Sequence, residues 1–348
     1  MATREITYGE AVNEAIRLEM RRDPTVIFMG EDIAGAAGRP QFEGAWGGPF
    51  GASRGLIQEF GSVRVLDTPI SEMGFTGAAV GAAMTGLRPI ADIMFVDFAG
   101  VCLDQIVNQA AKMRYMTGGQ TPMPLVIRAA IGTRSSPGQI RGGGAAAQHS
   151  QILYSIFVHF PGLKCVAPSN PYNAKGLTIA AIRDDDPVVI FDHKFLMGTR
   201  GAVPEEAYTV PIGVSEVKKQ GRDITLIGIS RMVYVCMEAA KALEQMGLDA
   251  EVIDLLSLAP LDEETILESV RKTKRLVIVD ESNPRCSVAR DIAAMVADKG
   301  FDYLDAPIKT VTAPHTPVPF SAPLEEEYVP SPAKVVRTVR DLLGLAED

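Results

Sequence analysis

The 348-residue chain predicts an α/β protein of two domains, each built on a mainly parallel sheet. Three observations lead there. Short apolar runs alternate with helix-like segments of roughly 10–15 residues, the pattern of βαβ units. Scattered glycine and proline interrupt this alternation once, over residues 194–221. It then resumes with a new apolar run at residues 224–229. The length accommodates two ordinary cores. We place a first domain at residues 1–200, a linker at 201–221 and a second domain at 222–348.

Each element has its own signal. Residues 7–22 have helical periodicity, and residues 25–30 form a buried-strand run ending at Gly30. Residues 33–55, with the only tryptophan, Trp46, predict an ordered loop. Residues 64–66 read as a strand that enters a proline turn. Ser71 then serves as N-cap for a helix opening at Glu72. A strand at 89–95, an amphipathic helix at 98–115 and a strand at 124–128 come next. A glycine-rich loop spans 132–144, with a helix after it and short strands at 163–168 and 187–191. In the second domain, strands at 224–229, 250–254 and 275–279 alternate with helices at 233–246, 263–272 and 286–299. The acidic end, with Glu347 and Asp348, is expected to fray.

Composition excludes several classes. The formal charge of −9 argues against a nucleic-acid binder. No apolar run reaches the ~18 residues of a membrane span. The four cysteines (Cys102, Cys165, Cys236 and Cys286) are far apart and read as reduced and buried, which points to a cytoplasmic protein. The amino terminus resembles neither a signal nor a transit peptide. CxxC, HxxxH and GxGxxG patterns are absent. The GxSxG at Gly51–Gly55 comes after loop rather than strand, so it is no nucleophile elbow.

Among residues able to carry chemistry, Glu72 stands out. A carboxyl at the mouth of a helix built to be buried is costly unless it is paired or protonated. The same helix carries Gly74, Gly77, Ala78, Gly81 and Gly86, and glycine costs ~1 kcal/mol per helical position. Two explanations stand: tight packing on its own sheet, or close crossing by a subunit partner. Phe95 and Phe98 flank Asp97 where a strand meets a helix, the place where open α/β sheets collect ligands. Phe98 reads either as a stacking face for a flat ring or as core. His149 comes after three glycines and among small residues, which leaves room for a ligand. His159 reads as a packed core histidine, while His193 and His315 stay open. Asp184-Asp185-Asp186 reads as a solvated turn or as part of a cation site.

Taken together, residues 67–88, which include Asp67-Thr68-Pro69-Ile70-Ser71-Glu72-Met73-Gly74, residues 95–119, Ala146–Gln151 and residues 161–168 resemble one family. It is the beta subunit of the thiamine-diphosphate-dependent component of 2-oxoacid dehydrogenase complexes. Ile93–Phe98, Cys102–Ile106, Arg114-Tyr115-Met116 and His315–Phe320 are most similar to its acetoin dehydrogenase branch, with pyruvate dehydrogenase close behind.

The resemblance implies a pyrimidine-binding domain and, after it, a transketolase carboxyl-terminal-like domain. It implies that Glu72 bonds a ring nitrogen of the aminopyrimidine and thereby activates the thiazolium carbon. Such an acid must donate or share a proton, which burial favours and the helix dipole opposes. Phe98 would pack on the pyrimidine. His149 would contact the reacting group and support acyl transfer to a lipoyl arm. Leu125, Ala181, Asp184 and Asp186 match positions around a potassium site made largely of carbonyls. The sequence contains no Gly-Asp-Gly, the motif that holds Mg²⁺ and diphosphate in thiamine enzymes, so an alpha subunit would supply it.

The expected assembly is alpha-two beta-two, serving a lipoyl-bearing acyltransferase and a small-molecule substrate. The loop at 134–144, with Arg134 and Arg141, is longer than the family pattern and leaves acetoin, pyruvate and branched-chain 2-oxoacids open. Two other classes compete: a non-catalytic scaffold subunit, and a self-sufficient transketolase-like enzyme acting on sugar phosphates.

Overall fold

A computed structural model describes residues 3–34, 47–48, 50–134 and 144–345. Trp46, most of the 134–144 loop and the terminal Glu347 and Asp348 lie outside the described residues. The chain divides into two compact units: residues 1–131 with 156–212, and residues 132–155 with 213–348.

The first unit contains β1 (Thr3–Thr7), α1 (Tyr8–Arg22), β2 (Val26–Glu31), α2 (Leu56–Phe60), β3 (Val65–Thr68), α3 (Glu72–Met84) and β4 (Arg88–Phe95). It continues with α4 (Ala99–Asp104), α5 (Ala111–Met116), β5 (Val126–Ile131), α6 (Tyr154–His159), β6 (Lys164–Val166), α7 (Pro171–Arg183), β7 (Val188–His193) and β8 (Arg200–Pro204). The last residues of α6 belong here and its first two to the other unit. Parallel strands run in the order β6-β7-β5-β4-β2-β3, and neighbours that are distant in sequence are the result of helical crossovers. β5 and β7 are buried along their whole length, as expected of a sheet covered on both faces. The start of α1 is a capping box: Thr7 accepts from the Glu10 N–H, and the Glu10 carboxylate accepts from the Thr7 N–H at 2.7 Å.

The second unit contains β9 (Glu216–Lys219), β10 (Ile224–Gly228), α8 (Met232–Gln245), β11 (Ala250–Asp254), β12 (Ser257–Ala259), α9 (Glu263–Thr273) and β13 (Leu276–Asp280). α10 (Val288–Lys299), β14 (Lys309–Thr312), α11 (Ala322–Tyr328) and α12 (Pro332–Leu343) complete it. Its sheet runs β14-β13-β10-β11-β9, parallel except for β9. Ile224, Leu226, Val252, Val277 and Val279 form its core with Cys236 and Leu243 from α8. The mainly parallel α/β expectation therefore holds in both units.

Several local expectations differ. The stretch read as linker contains β8 and β9, and β8 pairs antiparallel with β1 from Thr3↔Pro204 to Thr7↔Arg200. The helix expected at 98–115 is α4 and α5 joined by a π-helical turn, Gln105–Ala110. Ser71 stands at the N-cap of α3, but its side chain caps no amide. Cys286, read as buried, is exposed and left-handed at φ 51°, whereas Cys102, Cys165 and Cys236 are buried. His159, read as core, is exposed and meets Phe160 edge-on. No helix among the described residues is long and apolar enough to cross a membrane.

Candidate active site

Glu72 opens α3 and is only 8% exposed. Phe75, Thr76, Ala79, Val80 and Ala83 form the buried face of this helix. Gly74, Ala78 and Gly81 lie on its exposed face, beside the 57% exposed Met73. Of the glycines, Gly77 lies close to its own unit: a methyl there would stand 3.1 Å from Gln105 Oε1. On the outer face a methyl at Gly74 would stand 3.2 Å from Ser71 Oγ, whereas one at Gly81 would meet nothing within 4 Å among the described residues, so packing within the chain does not account for Gly81.

β4 ends in a bulge. Its pairing with β5 shifts between Asp92 and Phe95, Met94 takes φ 60°, and the Met94 N–H donates to Asp92 Oδ1 at 2.9 Å. Bulges bend a strand and re-aim the chain beyond it. This one directs the chain into the 3₁₀ turn Val96–Phe98. The half-buried Phe98 ring meets Phe95 edge-on at 5.6 Å, and Phe95 meets Phe50 at 5.5 Å. α3 packs on α4, the helix that Phe98 leads into. Burial pushes the Cys102 thiol of α4 up to about 11, and the nearby charge of Glu72 acts in the same direction. Glu72 and Phe98 thus stand on two elements that touch.

Other carboxyls gather at the ends of β2 and β3. Burial raises the Glu31 carboxyl above its ordinary value, and the charges of Asp32, Glu72 and Asp67 add to it. Burial likewise raises Asp67, whose Oδ1 accepts from the Ala34 N–H at 3.3 Å. Asp67 Oδ2 is buried and has no hydrogen-bond partner among the described residues. Such an oxygen costs free energy unless something supplies a proton or a donor.

Beneath these strand ends lies a buried ionic network. Arg128, 3% exposed on β5, pairs with Asp192 at 2.5 Å and with Asp92 at 2.8 Å. Tyr8 Oη donates to Asp192 at 2.7 Å. Asp92, the residue that braces the bulge, is therefore itself braced. Burial raises its carboxyl, with the Arg128 charge opposing the shift.

His149 belongs to the second unit. It is half-buried, and its backbone N–H donates to the carbonyl of Ala146, which adopts a left-handed φ of 57°. His193 is buried and accepts from the Phe195 N–H at 3.2 Å through Nδ1; His315 is exposed. The serine of the GxSxG match, Ser53, donates to the Ile33 carbonyl at 2.6 Å.

Two family models match the chain: the transketolase pyrimidine binding domain over residues 4–199 and the transketolase carboxyl-terminal domain over residues 213–335. The acetoin:2,6-dichlorophenolindophenol oxidoreductase subunit beta of Bacillus subtilis (strain 168) is 54% identical over 343 residues, 98% of each chain. Its namesake from Cupriavidus necator is 51% identical, over 97% of each chain. The chain belongs to the thiamine-diphosphate-dependent dehydrogenase beta subunits. A third member, the pyruvate dehydrogenase E1 component subunit beta of Rickettsia felis, is 42% identical over 97% of this chain and 98% of its own. A solved structure described as a split-gene transketolase, inactive beta4 tetramer, shares the fold at TM-score 0.74 and 22% identity, covering 98% of this chain and 99% of its own.

For a beta subunit of this family, the residues around α3 fit an aminopyrimidine. They offer a half-buried aromatic ring, a buried acid at a helix start and a buried carboxyl oxygen without a donor among the described residues. The potassium positions fit a cation only through carbonyls. Lys164 engages the Asp184 carboxylate at 2.7 Å, and Arg114 engages that of Asp186 at 2.5 Å. The carbonyls of Leu125, Ala181 and Asp184 already accept from Val188 N, Asp184 N and Arg88 Nη1 respectively. Each carbonyl oxygen has a second lone pair. Among the described residues no cluster of three or more His, Cys, Asp or Glu side chains is arranged to hold a metal. Sequence reasoning missed the Arg128 network altogether; an arginine inside the apolar run Val126–Ile131 was its only signal.

Proposed function

We propose that this chain is the beta subunit of an acetoin-cleaving dehydrogenase component, active only with an alpha subunit. The identity of 54% to an acetoin:2,6-dichlorophenolindophenol oxidoreductase subunit beta, against 42% to a pyruvate dehydrogenase beta subunit, carries the choice of substrate. Thiamine diphosphate, when bound, supplies the nucleophilic carbon that cleaves the bond beside a carbonyl. Glu72 holds and returns a proton at a ring nitrogen of the pyrimidine. Phe98 packs against that ring and fixes its plane. His149 exchanges a proton with the reacting oxygen as the acyl group leaves for the lipoyl arm. In the net reaction, acetoin and an oxidised lipoyl group give acetaldehyde, with an acetyl group on one sulfur and a proton on the other.

The alpha subunit would hold Mg²⁺ and the diphosphate, since the sequence lacks Gly-Asp-Gly. The exposed small-residue face of α3 is the surface we assign to close approach by a subunit in an alpha-two beta-two assembly. A potassium ion, where bound, would rest on the carbonyls of Leu125, Ala181, Asp184 and Asp186, because the carboxylates of Asp184 and Asp186 are committed to cations. Three buried thiols suit a reducing, cytoplasmic setting; burial raises Cys165 and Cys236 and keeps them inert.

Co-expression with an alpha subunit that contains Gly-Asp-Gly, assayed by dye reduction, tests the reading. We expect kcat/KM for acetoin to exceed that for pyruvate and branched-chain 2-oxoacids by roughly tenfold or more, about 1.4 kcal/mol of discrimination. A higher value with pyruvate would overturn the assignment.

A further inference from the structure

The segment that bears His149 is tied down at both ends by two adjacent residues. At one foot, Glu281 Oε1 accepts from the Thr133 N–H at 2.8 Å and from Thr133 Oγ1 at 2.9 Å. Arg231 donates to Thr133 Oγ1 at 2.7 Å and pairs with Glu281 at 3.6 Å. At the other foot, Tyr154 Oη donates to Asp280 Oδ1. Asp280 is held in turn by Ser282, whose N–H donates at 2.9 Å and whose hydroxyl donates at 2.6 Å. The Gly132 N–H closes the base by donating to the Gln151 carbonyl at 3.2 Å. Thr133, Tyr154, Arg231, Asp280 and Glu281 are all buried.

We propose that Asp280 and Glu281, at the carboxyl end of β13, clamp both feet of this segment and act as positioning residues for His149. The inference rests on the role assigned above to His149. Burying these charges is costly, and apolar residues would hold two surfaces together at less expense. What polar groups add is a unique geometry: each bond has one donor, one acceptor and one direction. Burial raises the Tyr154 phenol well above its ordinary value, so the phenol remains the donor over the working pH range.

The test uses the assembled complex with its alpha subunit and two mild variants. Thr133→Val keeps the backbone N–H and the side-chain shape; Tyr154→Phe keeps the ring. We expect amide hydrogen exchange across residues 144–155 to rise roughly tenfold in each. Amides of β10 and β13 should not change. Acyl transfer to a lipoyl domain should fall about 10- to 100-fold, with dye reduction much less affected. His149→Ala is the reference and should lower the same transfer step. Unchanged exchange in both variants would overturn the clamp. Raised exchange with undiminished transfer, when His149→Ala does lower transfer, would overturn the positioning role. A His149→Ala enzyme with normal transfer would instead sink the reading of the histidine, and exchange alone would then decide the clamp.

Discussion

Glu72→Gln is expected to lower turnover of the assembled enzyme by about 10²- to 10⁴-fold, the range typical of a lost general acid or base. That is about 2.7–5.4 kcal/mol of activation free energy. Glutamine has the shape of the acid, so the start of α3 and the packing of Phe75, Thr76 and Ala79 should survive. Cofactor affinity should change by much less than turnover, because an amide still reaches a ring nitrogen but cannot exchange a proton there. Pre-steady-state turnover together with calorimetric titration of thiamine diphosphate separates the two effects. Normal turnover would favour the scaffold-subunit alternative.

Arg128→Met is the largest expected change in stability. Methionine fills similar space but leaves Asp192 and Asp92 facing each other without their cation, in a site where Asp192 is 1% exposed. Breaking a buried pair from one side costs about 3–5 kcal/mol. The deficit should depend on pH. Burial already raises the Asp92 carboxyl, and removing the Arg128 charge takes away what opposes that shift, so the penalty is full near neutrality and shrinks as pH falls and Asp92 protonates. Urea unfolding at several pH values measures this. A deficit below ~1 kcal/mol, or one that grows toward acid, would show that the network contributes little. A secondary loss of activity is expected, because Asp92 holds the bulge that leads to Phe98.

What was legible in the sequence was local. The boundary at Ser71 and Glu72 could be read because a proline turn precedes a run of small and apolar residues. β2, β5 and β7 could be read because each contains or directly extends a short apolar run. The hidden features depend on partners far along the chain. Arg128 meets acids 36 and 64 positions away. The foot at Thr133 is tied to a residue 148 positions on, and the foot at Tyr154 to one 126 positions on. No periodicity records such pairings. The same holds for β8, whose partner β1 is the other end of the unit. The π turn at Gln105–Ala110 lies inside the stretch read as one amphipathic helix, and no residue type in it marks the wider turn.

Whether this chain holds half of an active site is best measured by titrating thiamine diphosphate with Mg²⁺ into the chain alone and into the chain reconstituted with its alpha subunit. The isolated chain should show no saturable binding and no dye reduction, with both appearing at a one-to-one ratio of subunits. They should be lost again when a bulky residue is placed on the outer face of α3, as in Gly81→Trp, where a methyl would meet nothing within 4 Å in the isolated chain. Tight cofactor binding and turnover by the isolated chain would contradict the account and point to a self-sufficient transketolase-like enzyme.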